Sequence, residues 1–242
     1  MVYNRNMNKL KDNPNAIPFK PKNDIVPSVI ENVLTNEDVA ILKKHIAEER
    51  DNYNADELHA PLILKKMSRL QLELKYPENI KIKLEKLASD LCGEEVVMTH
   101  NSYLDYDGKY NPGTNPSLPP HFDSDNYYTK ITFDYQLDTN VDWAIIIEGK
   151  KFYLQNNQML YFWGAGQAHW RENIILEENQ KTEVLTMHFS KQNEFDKYDK
   201  LSRNQEARQE RLDSTKYVIQ NYLKVYELEK RVFEQKQKNK NG

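Results

Sequence analysis

The hydrophobic rhythm of the chain changes along its length. In "IENVLTNEDVAILKKHIAEERD", Val39, Leu42 and Ile46 recur at the spacing of one helix face. Thr35, with Asp38 three residues on, gives that helix a start signal. A short apolar run from Val29 to Val33 precedes it and predicts a strand. "PENIKIKLEKLASDLCG" opens with Pro77, closes with Gly93 and sets Ile80, Leu84, Leu87 and Leu91 on one stripe, which predicts a second helix. Before it, "APLILKKMSRLQLELKY" mixes helix and strand signals and assigns neither.

From residue 94 the period becomes two. "EEVVMTHNSYLDY", "TKITFDYQLD", "WAIIIEG", "KKFYLQ", "QMLYFWG", "HWRENIIL" and "TEVLTMHF" are short strand-like runs between Gly, Asn and Asp turns. Roughly seven strands in about a hundred residues, with no helix between them, predict an antiparallel sandwich or jelly roll. Helical spacing returns late in the chain, where Val218, Tyr222, Val225, Glu229 and Val232 fall on one face of a long charged segment. Such a helix folds back across the sandwich or, its apolar stripe being narrow, joins two chains as a homodimer. The expected organisation is an α+β chain: a polar arm over residues 1–27, a domain over 28–192 and a helical extension over 193–242.

Composition narrows the function classes. Hydrophobic residues make up 38% and charged residues 29% of the 242, with 15 tyrosines, so the chain can form a core. A net charge of −3 gives no bulk positive field for nucleic acid or an anionic membrane. The single cysteine, Cys92, excludes an intramolecular disulfide and a cysteine-based zinc site. With no apolar run fit for a signal peptide or a membrane span, the expected location is the cytoplasm.

Candidate chemistry lies in "LPPHFDSDNYY". Side chains alternate along a strand, so His121 and Asp123 share a face while Phe122 takes the other. They are two arms of a metal site or polar residues at a loop edge. His169, in "YFWGAGQAHWREN", is the best-placed third ligand, since it follows a strand and a Gly-rich turn. Two imidazoles and a carboxylate on one face of an ion leave adjacent positions open, an arrangement suited to Fe(II).

The stretch from Asn101 to Phe189 resembles the iron- and 2-oxoglutarate-dependent dioxygenases, whose double-stranded β-helix, a cupin-like jelly roll, carries His-x-Asp…His. "SYLDYDGKY…PPHFDSD" is similar to the lead into that motif in prolyl-hydroxylase-like members, and "NNQMLYFWGAGQAHWRE" to the approach to the distal histidine. Upstream, "IVPSVIENVLTNEDVAILKKHI" is similar to the prelude of the same enzymes. The resemblance implies that His121, Asp123 and His169 hold Fe(II). It further implies that 2-oxoglutarate chelates the metal and that O2 oxidises a peptidyl substrate, prolyl residues among them, or a small molecule, with release of succinate and CO2. Asp123, a carboxylate where related halogenases carry a small residue, favours hydroxylation.

The resemblance also implies a cation for the distal carboxylate of 2-oxoglutarate. Lys181, at the head of the next strand, is one candidate; Arg171, on the face of His169 by parity, is the other. Tyr103 and Tyr135 are candidates to hydrogen-bond the cosubstrate, while Trp143, Trp163, Trp170 and His188 are read first as packing. The loop over residues 106–120 is a candidate rim to the site. Two other readings stand beside the oxygenase. One is a non-catalytic jelly-roll binding or structural protein, expected if Lys181 and Arg171 both face solvent. The other is a cupin-like metal enzyme that uses no 2-oxoglutarate.

Overall fold

The computed structural model describes residues 25–51, 69–110, 116, 118–123, 129–195 and 205–240. Strand β1 (Ser28–Glu31) leads into helix α1 (Asn36–Asp51). The start of α1 is closed reciprocally: Thr35 Oγ1 accepts from the Asp38 amide and Asp38 Oδ2 accepts from the Thr35 amide, each at 3.1 Å. Helix α2 (Glu78–Cys92) stops at Gly93, whose φ of 68° is left-handed and suits a residue without Cβ. Asp38, nearly inaccessible, also accepts from Lys83 Nζ of α2 at 2.7 Å, so one carboxylate caps one helix and ties it to the next.

The unassigned stretch resolves in part. Residues 52–68 lie outside the described chain, and Arg69–Leu72 form β2, whose alternation of Arg69 and Gln71 with Leu70 and Leu72 is that of a strand with two unlike faces. There follow β3 (Val97–Asp107), β4 (Leu118–His121), β5 (Ile131–Thr139), β6 (Ile145–Ile147), β7 (Lys150–Phe152), β8 (Gln158–Phe162), β9 (His169–Arg171) and β10 (Lys181–Ser190). They build two sheets, one ordered β1-β8-β5-β10-β3-β2 and one ordered β4-β9-β6-β7. All their pairings are antiparallel. The jelly-roll expectation holds. Of the expected rim, residues 118–120 belong to β4, and 111–115 lie outside the description.

The six-stranded sheet has two different faces. Ile131, Phe133, Tyr135 and Leu137 of β5, with Leu185, Met187 and Phe189 of β10, pack against α1 and α2 through Leu42, Ile46, Ile80 and Leu84. The alternate residues, Thr132, Asp134 and Gln136 of β5 and Thr182, Thr186 and His188 of β10, turn toward the other sheet. Five of these six are buried, which makes this part of the interior polar, beside an apolar cluster that Leu160 and Phe162 of β8 form with Ile145 and Ile147 of β6.

Helix α3 (Gln205–Lys240) lies along the four-stranded sheet. The expected stripe is corrected here. Tyr222 and Tyr226 pack on Trp170 and Ile146, whereas Val225, Leu228 and Val232 are exposed. The packing face is thus rotated from the apolar spacing, with two large aromatic rings rather than the branched aliphatics set against Trp170 and Ile146. The side chain of Val218 lies outside the described residues, as do residues 1–24 of the arm.

Replacing Asp38 by Ala is expected to destabilise the fold by about 1–3 kcal/mol in denaturant titration, from the lost cap and the stranded Lys83 contact. The hydrogen bond from Lys83 holds the Asp38 carboxyl below its ordinary range against the opposing effect of burial, with Thr35 assisting. A depressed carboxyl stabilises above its unfolded pKa, so this contribution is complete near neutrality and fades as pH falls through the folded value. The Asp38→Ala variant should therefore lose less stability than the parent between neutral and acid pH.

Candidate metal centre

The two strands at one border of the smaller sheet bring the histidines together. In the β4–β9 ladder His121 stands directly opposite His169, and the register slips between Leu118 and His121. Their rings lie 4.2 Å apart, centroid to centroid. Just past β4, the amide of Asp123 donates to the Gly164 carbonyl at 2.9 Å, which pins the aspartate beside the turn leading to β9. One donor atom from each of His121, Asp123 and His169 lies within 4.8 Å of the other two.

Each ligand is held from behind. His121 Nδ1 lies 2.9 Å from the Pro119 carbonyl and His169 Nδ1 lies 3.0 Å from that of Gln167. A carbonyl can only accept, so Nδ1 carries the proton on both rings, and each Nε2 presents a lone pair when its imidazole is neutral. Those Nε2 atoms stand 4.0 Å and 3.3 Å from Asp123 Oδ1. The other carboxylate oxygen faces Thr132 Oγ1 at 3.5 Å and His188 Nδ1 at 3.7 Å. Gly164 is required here by space: a Cβ would fall 1.8 Å from Asp123 Oδ2 and 2.6 Å from Thr132 Oγ1.

The electrostatics follow from the crowding. Burial alone would raise the Asp123 carboxyl, but His169, His188 and His121 together hold it well below the usual carboxylate range. His121 is pushed down to about 4, first by burial and then by the charge at His169, although its side chain is 35% exposed at the mouth. Burial opposes protonation of His169 too, and Asp123 outweighs it, so that imidazole titrates above its ordinary value. An ionised carboxylate beside two lone-pair nitrogens is a ready donor set. With no thiolate among the donors, it fits a divalent transition ion that accepts nitrogen and oxygen.

Arg171 shares the inward face of β9 with His169 and is buried. Its Nη2 lies 3.9 Å from Asp134 Oδ2, its Nη1 donates to the Trp143 carbonyl at 3.5 Å, and its guanidinium sits 5.1 Å above the Trp143 ring. Glu172, the next residue, turns away to Lys151 and Tyr153. Lys181 differs. It shares the parity of Leu185, is 38% exposed, and its Nζ lies 3.1 Å from Asp138 and 2.9 Å from Glu183.

Tyr103 and Tyr135 are buried in the core against the helices. They stand opposite Leu185 in the ladders, so parity turns them away from the triad; Tyr135 donates to Asn157 Oδ1 at 2.7 Å. The structure therefore gathers His121, Asp123, His169 and Arg171 on one side of the large sheet and does not bring Lys181, Tyr103 or Tyr135 to them. His188 and Thr132 are additions: both touch Asp123, and their strand parity with Thr186 and Asp134 was the available signal.

No protein-family model matches the sequence, and no curated protein matches it. Solved structures do. The epimerase SnoN, in complex with Fe3+, α-ketoglutarate and nogalamycin RO, aligns at TM-score 0.52 and 10% identity over 68% of this chain and 78% of its own. EctD from S. alaskensis, with 2-oxoglutarate and 5-hydroxyectoine, aligns at TM-score 0.51 and 12% identity over 74% and 81%. The fold is that of the iron- and 2-oxoglutarate-dependent oxygenases. Within that double-stranded β-helix, His121 ends β4, Asp123 lies just past it and His169 begins β9.

Gly164→Ala is expected to lower Mn(II) affinity at least about tenfold, because the added methyl displaces the Asp123 carboxylate. Free Mn(II) measured by electron paramagnetic resonance reads this; an affinity within about twofold of the parent would contradict the packing argument.

Proposed function

We propose that the protein is an Fe(II)- and 2-oxoglutarate-dependent oxygenase that hydroxylates a small-molecule or peptidyl substrate. The observation that carries this reading is the convergence of two Nε2 lone pairs and one carboxylate oxygen at the mouth of a polar interior. His121, Asp123 and His169 would hold the ion, leaving adjacent positions open. Bound Fe(II) and keto acid would supply the O2 chemistry, in which 2-oxoglutarate, O2 and a substrate C–H become succinate, CO2 and a C–OH.

The chain's own residues have distinct tasks in this scheme. Thr132 and His188 keep Asp123 oriented through its second oxygen. Phe162 stands edge-on to His169 at 5.0 Å and, with Ile145, Ile147 and Leu160, forms an apolar wall that limits water beside that ligand. Arg171 is the favoured anchor for the distal carboxylate of the cosubstrate, because it is buried on the strand face of His169 and presents a planar fork. Lys181 is a poorer anchor, its ammonium being already shared by two carboxylates. A scaffold without chemistry would be favoured by two solvent-facing cations, and the burial of Arg171 speaks against it. The likeness to SnoN and EctD supports the class and leaves the substrate to be found.

The test is anaerobic. Adding Fe(II) and then 2-oxoglutarate should produce a weak visible charge-transfer band in the parent and none in an Asp123→Ala, His169→Ala double variant. Iron binding without the band would favour a cupin-like enzyme that uses no 2-oxoglutarate. In the same titration Arg171→Lys is expected to weaken the keto acid about tenfold, and Lys181→Met by less than about twofold. The reverse order would move the anchor to Lys181.

A further inference from the structure

The interior contains a second guanidinium that the scheme above does not use. Arg69 is on β2, the border strand of the six-stranded sheet, and stands opposite Tyr106 of β3. Its Nη1 donates to the Tyr106 hydroxyl at 3.2 Å and its Nη2 to Gln71 Oε1 at 3.0 Å. Gln71 Nε2 in turn donates to Ser102 Oγ at 3.1 Å. Tyr106 meets Trp143 edge-on at 4.9 Å, so this group faces the space between the sheets. Arg69 is also near enough to His121 for its charge to disfavour the imidazolium there. β2 and β4 are border strands of their respective sheets, and Arg69 therefore looks across the opening toward the ligand that is most exposed to solvent.

What distinguishes Arg69 is its set of partners. Arg171 faces the carboxylate of Asp134. Among the described residues Arg69 has only neutral partners, and its Nε is buried with no acceptor. A half-buried guanidinium whose Nε is closed off from water, with no anion facing it among the described residues, gains from an arriving carboxylate. Tyr106 strengthens the site, because its oxygen accepts from Arg69 and its own O–H remains free to donate to the same anion.

We propose that Arg69, with Tyr106, is the receptor for a carboxylate on the substrate, so that the oxygenase acts on an anionic small molecule or on the carboxylate-bearing residue of a peptide. This rests on the oxygenase reading of the same site. Arg171 is left to the cosubstrate, and the two anions are received from different sheets.

The experiment uses Mn(II)-loaded full-length protein saturated with 2-oxoglutarate and two probes, 3-fluoropropionate and 3-fluoropropionamide. Bound Mn(II) broadens the fluorine resonance of any probe held near the triad. The acid should be broadened and the amide not, and Arg69→Met should reduce the effect on the acid at least about tenfold. In the Fe(II) form of that variant, the 2-oxoglutarate band should keep its intensity and midpoint, which also shows that the site is folded. If the Met variant is unfolded, Arg69→Lys serves instead, with severalfold weaker broadening expected from the lost fork. Equal broadening of acid and amide, undiminished broadening in the variant, or a weakened 2-oxoglutarate midpoint would each overturn the proposal; the last would make the cosubstrate the ligand of Arg69. Absence of the band from the parent would instead remove the oxygenase reading, while the acid–amide comparison without 2-oxoglutarate still decides whether Arg69 receives a carboxylate.

Discussion

The site depends on one cross-strand pair, His121 of β4 facing His169 of β9. Directly opposed residues of an antiparallel ladder have their side chains about 5 Å apart on one face, a separation that one ion can bridge. A slip of one residue in either strand would turn one imidazole to the outer face and dissolve the site. The register is held from both sides, since β9 also pairs with β6 through Ile145, Ile146 and Ile147. Trp170, pointing outward between His169 and Arg171, is covered by Tyr222 of α3 at 5.6 Å, so the C-terminal helix helps to fix which face of β9 looks inward. The third ligand depends on the same arrangement, through the Asp123 amide and the Gly164 carbonyl.

Around that pair the sandwich reverses the usual polarity of a half-buried sheet. The apolar face of the large sheet turns outward to be covered by α1 and α2, and the inward face is polar along β5 and β10 and apolar at Leu160 and Phe162 of β8. Polar groups there stay buried because they satisfy one another: Thr186 with Asp134, Gln136 with Thr182, Thr132 with His188. Burial raises the Asp134 carboxyl despite Arg171 beside it, while the three surrounding imidazoles depress Asp123. Two carboxyls on neighbouring elements are thus set to different tasks, one ready to bind a cation and one more easily protonated.

Much of this was legible in the sequence. The stripes of α1 and α2 and the Thr35–Asp38 start signal arise from local spacing, and they stand where expected. His121 and Asp123 were readable as a pair two apart, although β4 ends at His121 and the Asp123–Gly164 backbone bond, rather than strand alternation, places the carboxylate. The inner and outer faces of "ITFDYQLD" were not readable, because alternation reveals two faces without saying which one lines a cavity. Tyr135 and Tyr103, candidates for the cosubstrate by resemblance, lie in the helix-covered core. The placement of Arg69 was not legible for a related reason: "SRLQLELK" is too short to choose a period, and pairing with β3 makes it a strand. The stripe on α3 misled because tertiary packing chose two tyrosines over the aliphatic spacing.

The central claim is that these three side chains form one metal site. Calorimetric titration of the apoprotein with Fe(II) under argon, alongside His121→Ala, Asp123→Ala and His169→Ala, tests it most directly. The account predicts saturation at a single equivalent per chain in the parent and loss of that isotherm in each variant, with the fold intact by circular dichroism. An isotherm that survives removal of any one of the three would place the iron elsewhere and contradict the account.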